Sequence, residues 1–462
     1  MLFRSFQHGP FDASLIEGQS IRAVFKSPGL SPESVAPVWQ AAQAAGLWVG
    51  TELTLFAQAL EELKTDKQYT PHVLAITGTN GKTTVTSLTG QLLERAGMRV
   101  AVAGNIGPTL LDTLGSALEQ EQSQWPQAWV LELSSFQLDE VDNFEPTAAT
   151  VLNLTQDHLD WHGDMAAYAK AKAGIFGRQA SIVLNRDDSN VMAMLPAPVA
   201  KTKGSKQPPR EVMRFGADMP TQHGDWGLET VNGMTWLVRA LNVDETRKSR
   251  ASTETEIYIQ RLLPVDALRI RGRHNALNAM AALALASSTG APLASMLYAL
   301  REYRGEPHRV ASIAVLQDIE YIDDSKGTNV GATVAAINSV GADRRIVLIL
   351  GGDGKDQDFS SLRVPIQQYV RSLVLIGKDA AELRQVLQGA GVPMHDAASL
   401  EDAVKLCRSL AQTGDAVLLS PACASFDMFK NYVHRGEVFA QAVQALAQDL
   451  GIELDHLGGV QT

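Results

Sequence analysis

One stretch limits the folds open to this chain more than any other: His72-Val-Leu-Ala-Ile-Thr-Gly-Thr-Asn-Gly-Lys-Thr-Thr84. An apolar run from His72 to Thr77 stops at a glycine turn, and a helix-compatible segment follows from Thr83 to Arg95. Strand, loop and helix start, in that order, make a cradle for a polyphosphate. Backbone N–H groups of Gly78, Thr79, Asn80 and Gly81 and the positive end of the helix would face the anion. Lys82 would neutralise charge on the β- and γ-phosphates, and Thr83, followed by Thr84, would bring a hydroxyl to Mg²⁺. The strict pattern G-x-x-x-x-G-K-[ST] is not met, since Ile76 occupies its first glycine position. The flanking strand and helix carry the prediction.

At 462 residues the chain has room for about three domains. Its 45% hydrophobic and 20% charged residues are those of an ordinary globular protein. No apolar run reaches the length of a membrane span, and the start lacks a signal-peptide core, so no membrane insertion is expected. Cys407 and Cys423 are the only cysteines and have no metal-type spacing, which fits a reducing, cytoplasmic setting. A formal net charge of −11 argues against nucleic acid as a partner. An anionic small molecule must then be met by local lysines, arginines and helix ends.

Strands and helices alternate along the chain, which predicts parallel sheets. In residues 1–69, Ile21–Phe25 and Leu47–Val49 read as strands, with helices over Pro37–Ala45 and Glu52–Leu63. Within 70–304, Ala128–Leu133 ends in Glu132, where phosphate-loop folds hold a metal or its water. Ala148–Leu154 runs into Thr155-Gln-Asp-His158. A helix over residues 165–176 holds Lys170 and Lys172, about 200° apart on the helical wheel, so only one can face the sheet edge. The segment Ala180–Asn185 is a further strand, Lys201–Arg210 a loop and Asp244–Glu256 a charged, mobile stretch. Asn232-Gly233 marks a hairpin. Gly272-Arg-His-Asn-Ala-Leu-Asn278 leads into an alanine-rich helix from Ala279 to Ser288.

From 305 to 462 four strands are legible: Glu320–Ile322, Arg345–Leu350, Ser372–Ile376 and Asp415–Leu419. Ligands of a doubly wound sheet sit beyond the carboxyl ends of its strands. Three of those ends carry polar clusters: Asp323–Asn329, Gly351–Asp356 and Ser420–Tyr432. The fourth, Gly377-Lys378, reads as an ordinary turn.

These residues carry a family resemblance. Gly78–Thr84, Asn105-Ile-Gly107, Leu131–Leu138, Asn153–His158, Gly272–Asn275, His308-Arg309, Asp324–Asn329, Gly351–Lys355 and Ser420–Asp427 stand in the order found in the ATP-dependent Mur ligases. The chain resembles these, and Ser420-Pro-Ala-Cys-Ala-Ser425 points to the D-glutamate-adding branch. The resemblance implies an α/β fold of three domains: a truncated Rossmann-like N-terminal domain (1–69) for the UDP-linked substrate, a P-loop ATPase-like central domain (70–304) and a Rossmann-like C-terminal domain (305–462) for the amino acid. It implies addition of D-glutamate to UDP-N-acetylmuramoyl-L-alanine through an acyl phosphate, by a monomer.

Residue by residue, it implies ATP at Gly78–Thr84, Asn275, Asn278, Arg309, Asp324 and Lys326, clamped by domain closure. Catalysis would draw on Lys82, Glu132, His158 and Lys172. One Mg²⁺ would lie on Thr83 and Glu132, and a second on His158 and a carbamylated Lys172. Asn105 would meet the muramoyl-alanine moiety. Thr328, Lys355, Ser425, Phe426 and Tyr432 would receive D-glutamate. The family's opening strand, glycine turn and helix have no counterpart in Met1–Pro10, although Ser27-Pro-Gly29 is present, so part of the UDP site is expected to be missing. Residues 200–256 form a polar expansion without evident chemistry. Two other readings stay open: another glutamate-adding ligase such as a folylpolyglutamate synthase, and a non-catalytic ATP-binding protein.

Overall fold

The computed structural model describes residues 9–18, 20–196, 210–242, 257–355 and 357–452, with the backbone alone at residue 160. All but the last residue of the loop read at Lys201–Arg210, the charged stretch 244–256 and most of Met1–Pro10 lie outside these. Two compact units form. One comprises Met1–Glu229, Leu237–Leu262 and Ala279–Leu300, the other Thr230–Trp236, Leu263–Asn278 and Arg301–Thr462.

In the first unit, β1 (Ala23–Lys26) and β2 (Trp48–Thr51) pair in parallel. The helix between them, Pro32–Ala44, starts earlier than its sequence suggests. Ser31 accepts the Ser34 N–H at 3.3 Å and caps it, with a proline in its first turn, while Pro37 lies inside. A proline reads as a helix start because it lacks an N–H, but here Ser31 and Pro32 set the boundary.

A nine-stranded sheet follows, made of β3 (His72–Thr77), β4 (Val100–Gly104), β5 (Ala128–Glu132), β6 (Ala148–Val151), β7 (Ser181–Asn185), β8 (Val212–Phe215), β9 (Trp226–Val231), β10 (Met234–Asn242) and β11 (Ile257–Pro264). Its spatial order is β11-β10-β9-β8-β7-β6-β3-β5-β4. β3 lies between β5 and β6 and runs parallel to both. The chain goes to the β4 edge after β3 and later crosses to β6, so β3 ends at the switch point where such sheets open a crevice. Asn232 (φ 52°) and Gly233 (φ 79°) form the expected hairpin turn. Trp129, Phe56 and Leu131 lie in the core beneath.

The second unit is built on β12 (Ala311–Leu316), β13 (Ile319–Asp323), β14 (Ile346–Gly351), β15 (Val370–Ile376), β16 (Met394–Asp396) and β17 (Ala416–Leu419), in the order β12-β13-β17-β14-β15-β16. β12 pairs antiparallel to β13 and the rest are parallel. Ile346, Leu348 and Leu350 belong to one apolar cluster, and Val347 and Ile349 to another. Both faces are thus covered, as a parallel sheet requires. Register puts Leu419 beside both Asp323 and Ile349, so the polar ends of β13, β17 and β14 stand side by side.

Candidate active site

In the first unit, Gly81 caps the helix Lys82–Arg95 with φ 83°, a conformation glycine adopts without a β-carbon penalty. No acidic residue lies in the first turn to oppose an anion there. The segment after β6 pins the loop. Thr79 N–H donates to Asn153 O at 3.0 Å, and Asn80 N–H donates to Asn153 Oδ1 at 2.8 Å. Asn153 Nδ2 returns a bond to Asn80 O at 3.0 Å. Thr79 Oγ1 accepts the Thr155 N–H at 3.0 Å and stands 3.2 Å from the Tyr168 hydroxyl.

Lys82 Nζ turns back on the loop and donates to Gly78 O at 2.9 Å and Thr79 O at 2.8 Å. Lys172 Nζ reaches the same Gly78 O at 2.9 Å and Thr77 Oγ1 at 3.2 Å. Only 2% of Lys172 is exposed, and its nitrogen lies 4.7 Å from the Tyr168 ring centroid. Burial first, and the charge of Lys82 second, hold its ammonium well below the ordinary lysine range, with Asp157 and Glu132 opposing. Lys170 is exposed, so the helix presents Lys172 to the loop.

Glu132 stands opposite Ile76 on β3 and Gly104 on β4. A β-carbon at Gly104 would run into the Glu132 carbonyl oxygen. Glu132 as a residue is 2% exposed, and its Oε1 accepts from Asn105 Nδ2 at 2.8 Å. Its Oε2 is buried with no hydrogen-bond partner. A charged oxygen left so is costly, by more than the roughly 1–3 kcal/mol of a neutral group, unless a cation meets it. His158 heads the short helix Leu159–His162 in left-handed conformation (φ 55°). Its Nε2 is 3.6 Å from Asp157 Oδ2, and its ring centroid is 4.8 Å from that of Phe136 and 6.5 Å from that of Tyr168. Among the described residues no group of three or more His, Cys, Asp and Glu is placed to hold a metal ion.

In the second unit, Asp324 follows β13 and is buried. Its Oδ2 accepts from Ser420 Oγ at 2.6 Å and its Oδ1 from Val310 N–H at 3.2 Å. Burial pushes its carboxyl up to about 7, against the Ser420 bond and the charge of Arg309. Next to it, Asp323 Oδ2 lies 2.7 Å from His308 Nδ1. Lys326 Nζ sits 3.7 Å from the Tyr432 ring centroid, a cation–π contact. Asn278 Nδ2 donates to Asn275 Oδ1 at 3.1 Å, and Asn275 Nδ2 donates to Arg271 O at 2.8 Å. Arg271 and Arg344 converge on buried Glu320 at 3.2 and 3.0 Å.

The ends of β14 and β17 are stitched together. Asp353 N–H donates to Ala424 O at 3.1 Å, and Ala424 N–H donates to Asp353 O at 2.8 Å. Ser425 is buried, whereas Phe426 is 71% exposed and Lys355 exposed, with φ 50°. Thr328 N–H donates to Lys326 O at 2.8 Å. Beneath these loops Arg435, wholly buried, donates from Nη2 to Ser325 O at 2.9 Å and Cys423 O at 3.1 Å. The end of β15 is no ordinary turn: Lys378 N–H donates to Asp427 Oδ2 at 2.9 Å and Lys378 Nζ to Asp353 Oδ1 at 3.2 Å.

Residues 76–286 match the Mur ligase middle domain, and residues 308–423 match the Mur ligase glutamate ligase domain. The chain is 59% identical to the UDP-N-acetylmuramoylalanine–D-glutamate ligase of Albidiferax ferrireducens, across 96% of this chain and 88% of that one. The chain belongs to the Mur ligase family. It is 52% identical to the enzyme of that name from Polaromonas sp., across 97% of this chain and 91% of the other. In fold it is similar to the UDP-N-acetylmuramate–alanine ligase MurC of Thermotoga maritima, with a TM-score of 0.58 at 20% identity over 95% and 88% of the two chains. It is also similar to the MurF ligase of Thermotoga maritima in complex with ADP, with a TM-score of 0.58 at 15% identity over 95% and 98%.

In this Mur ligase the loop from Gly78 to Gly81, Glu132, Asn105 and Lys172 come together, with His158 linked through Asp157 and Tyr168. Asp324, Lys326, Arg309 and Tyr432 come together in the second unit, as do Lys355, Ser425 and Phe426 on the stitched loops. Several contributors are missed by sequence reasoning. Tyr168 lies one helical turn before Lys172, and that spacing could have flagged it. Asn153 and Asp157 sit inside a recognised motif. Arg435 offers no local signal, since its partners are far away in sequence.

Proposed function

We propose that this chain is an ATP-dependent ligase that joins D-glutamate to UDP-N-acetylmuramoyl-L-alanine, a step of peptidoglycan precursor synthesis. The observation that carries the proposal is its 59% identity, along nearly its whole length, to a relative of that name. The substrate carboxylate would attack the γ-phosphorus of ATP, forming an acyl phosphate and releasing ADP. The amine of D-glutamate would then attack the acyl carbon, lose a proton and expel phosphate. Both steps gather negative charge, so positioning and electrostatic stabilisation dominate.

Gly78, Thr79, Asn80, Gly81, Lys82, Thr83 and Thr84 would hold the ATP phosphates, with Asn275, Asn278, Arg309, Asp324 and Lys326 on the rest of the nucleotide. Asn105 would meet the muramoyl-alanine part. Thr328, Lys355, Ser425, Phe426 and Tyr432 would receive D-glutamate. The partnerless Glu132 Oε2 fits a cation. Thr83 and Glu132 would hold one Mg²⁺, and His158 with carbamylated Lys172 a second; bound there, the ions neutralise phosphate and carboxylate charge. Burial shifts Lys172 toward the neutral amine, the form that adds CO₂: a C–N bond forms, a proton leaves and an anionic ligand results. Residues 1–69 are taken as the domain for the UDP-linked substrate, 70–304 for ATP and 305–462 for the amino acid.

The protein would act in the cytoplasm as a monomer on these small molecules. Among the described residues no helix is long and apolar enough to cross a membrane. The test is phosphate release from ATP with both substrates. Release that requires UDP-N-acetylmuramoyl-L-alanine and D-glutamate together supports the proposal. Release with a folyl acceptor and L-glutamate instead, or ATP binding without turnover, overturns it.

A further inference from the structure

We infer that Lys378 is a positioning residue for the amino-acid substrate: by occupying Asp353 it leaves the Lys355 ammonium to the substrate's carboxylate. The inference rests on the D-glutamate proposal above. Asp353 follows β14, and its Oδ1 accepts from Lys378 Nζ at 3.2 Å and from the Lys355 N–H at 3.3 Å. One carboxylate therefore meets the side chain of one lysine and the backbone of the other. The charges of both lysines act on it.

Among the described residues, the neighbouring acids Asp379 and Asp427 are engaged elsewhere. Asp379 Oδ2 accepts the Gly354 N–H at 2.6 Å, and Asp427 Oδ2 accepts the Lys378 N–H at 2.9 Å. Asp353 is thus the carboxylate among these that bonds a lysine side chain. The bond from Asp427 fixes the backbone of Lys378 beside Ser425-Phe426, and the paired bonds between Asp353 and Ala424 fix the Lys355 turn against the same segment. Removing Lys378 would leave Asp353 two residues from Lys355 with its charge unmatched. The Lys355 ammonium would then pair with Asp353, in competition with an incoming dicarboxylate.

Both side chains of the Lys378–Asp353 pair touch solvent, at 61% and 32% exposure, so the effect is moderate. The test measures kcat and the KM for D-glutamate by phosphate release in Lys355→Ala, Lys378→Met and the double variant Asp353→Asn/Lys378→Met. Lys378→Met should raise the KM about three- to fivefold with little change in kcat. The double variant should return the KM to within about twofold of the parent, because a neutral amide cannot capture Lys355. An unchanged KM in Lys378→Met overturns the inference. A double variant as impaired as Lys378→Met also overturns it, since Lys378 would then act through loop structure and not through charge. An unchanged KM in Lys355→Ala instead overturns the substrate assignment itself.

Discussion

Lys82 and Lys172 place their side-chain nitrogens on one acceptor, the carbonyl oxygen of Gly78, at 2.9 Å each. Lys82 sits at the helix start, partly open to solvent, where the proposed function would have it meet phosphate charge. Lys172 is buried behind it and is driven toward the neutral amine. Burial thus separates two lysines that share one carbonyl: Lys82 is half-buried, whereas Lys172 is shifted toward the neutral form. The purified protein equilibrated with ¹³C-bicarbonate should show a carbamate carbonyl resonance. Lys172→Met should lack it and Lys170→Met should keep it; a signal that survives Lys172→Met assigns the chemistry elsewhere.

Lys82→Ala should abolish turnover, because the cation proposed for the β/γ-phosphates is lost while the loop's pinning by Asn153 and Thr155 is untouched. A drop of at least about a hundredfold in kcat is expected from losing such electrostatic stabilisation. Circular dichroism and melting temperature should stay near those of the parent. Near-normal phosphate release would refute the phosphate-loop assignment.

What could be read without coordinates follows the range of the forces involved. β3 and its loop are legible because an apolar run, a glycine turn and a helix start are all local. Four central strands of the second sheet are legible as apolar runs, since burial on both faces demands them. β4 and β12 escape notice: their alanines pack into the sheet but carry little strand preference of their own. The helical period states that Lys170 and Lys172 face different ways, yet which one meets the loop depends on the sheet beneath, and that is tertiary. The orphaned oxygen of Glu132, the Asp353–Lys378 bond and the burial of Arg435 arise from partners distant in the chain, and no pattern in sequence encodes them.

Asp324 makes stability depend on pH. Its carboxyl is about 7 when folded, against an ordinary 3.8. Between these values the folded state keeps a proton that the unfolded chain has released, so stability falls as pH rises through this window. The burden is complete above about pH 7 and corresponds to at most about 4 kcal/mol. Asp324→Asn removes it, although one hydrogen bond changes. Relative to the parent, the variant's urea midpoint should rise between pH 5 and pH 8. Parallel midpoints for the two proteins would show that Asp324 is already ionised at pH 5. The same variant should need more ATP for half-maximal rate.

Arg435 ties the proposed nucleotide loop to the proposed amino-acid loop. Its Nη2 bonds Ser325 O, between Asp324 and Lys326, and Cys423 O, just ahead of Ser425. Burial draws its guanidinium down to about 10, still a cation at neutral pH, and nearby acids hold it there. Arg435→Met would keep the volume but leave buried carbonyls without donors and the acids without their counter-charge. A loss of about 3–5 kcal/mol follows from breaking such a buried set. Arg435→Lys keeps the charge but replaces the planar fork, whose Nη1 also donates to Ala424 O at 3.4 Å, with one shorter ammonium, so it should fold better than Arg435→Met yet position both loops less well. Its KM should therefore rise for ATP and for D-glutamate together. A lysine variant with one KM raised and the other unchanged would mean that the two loops are positioned independently.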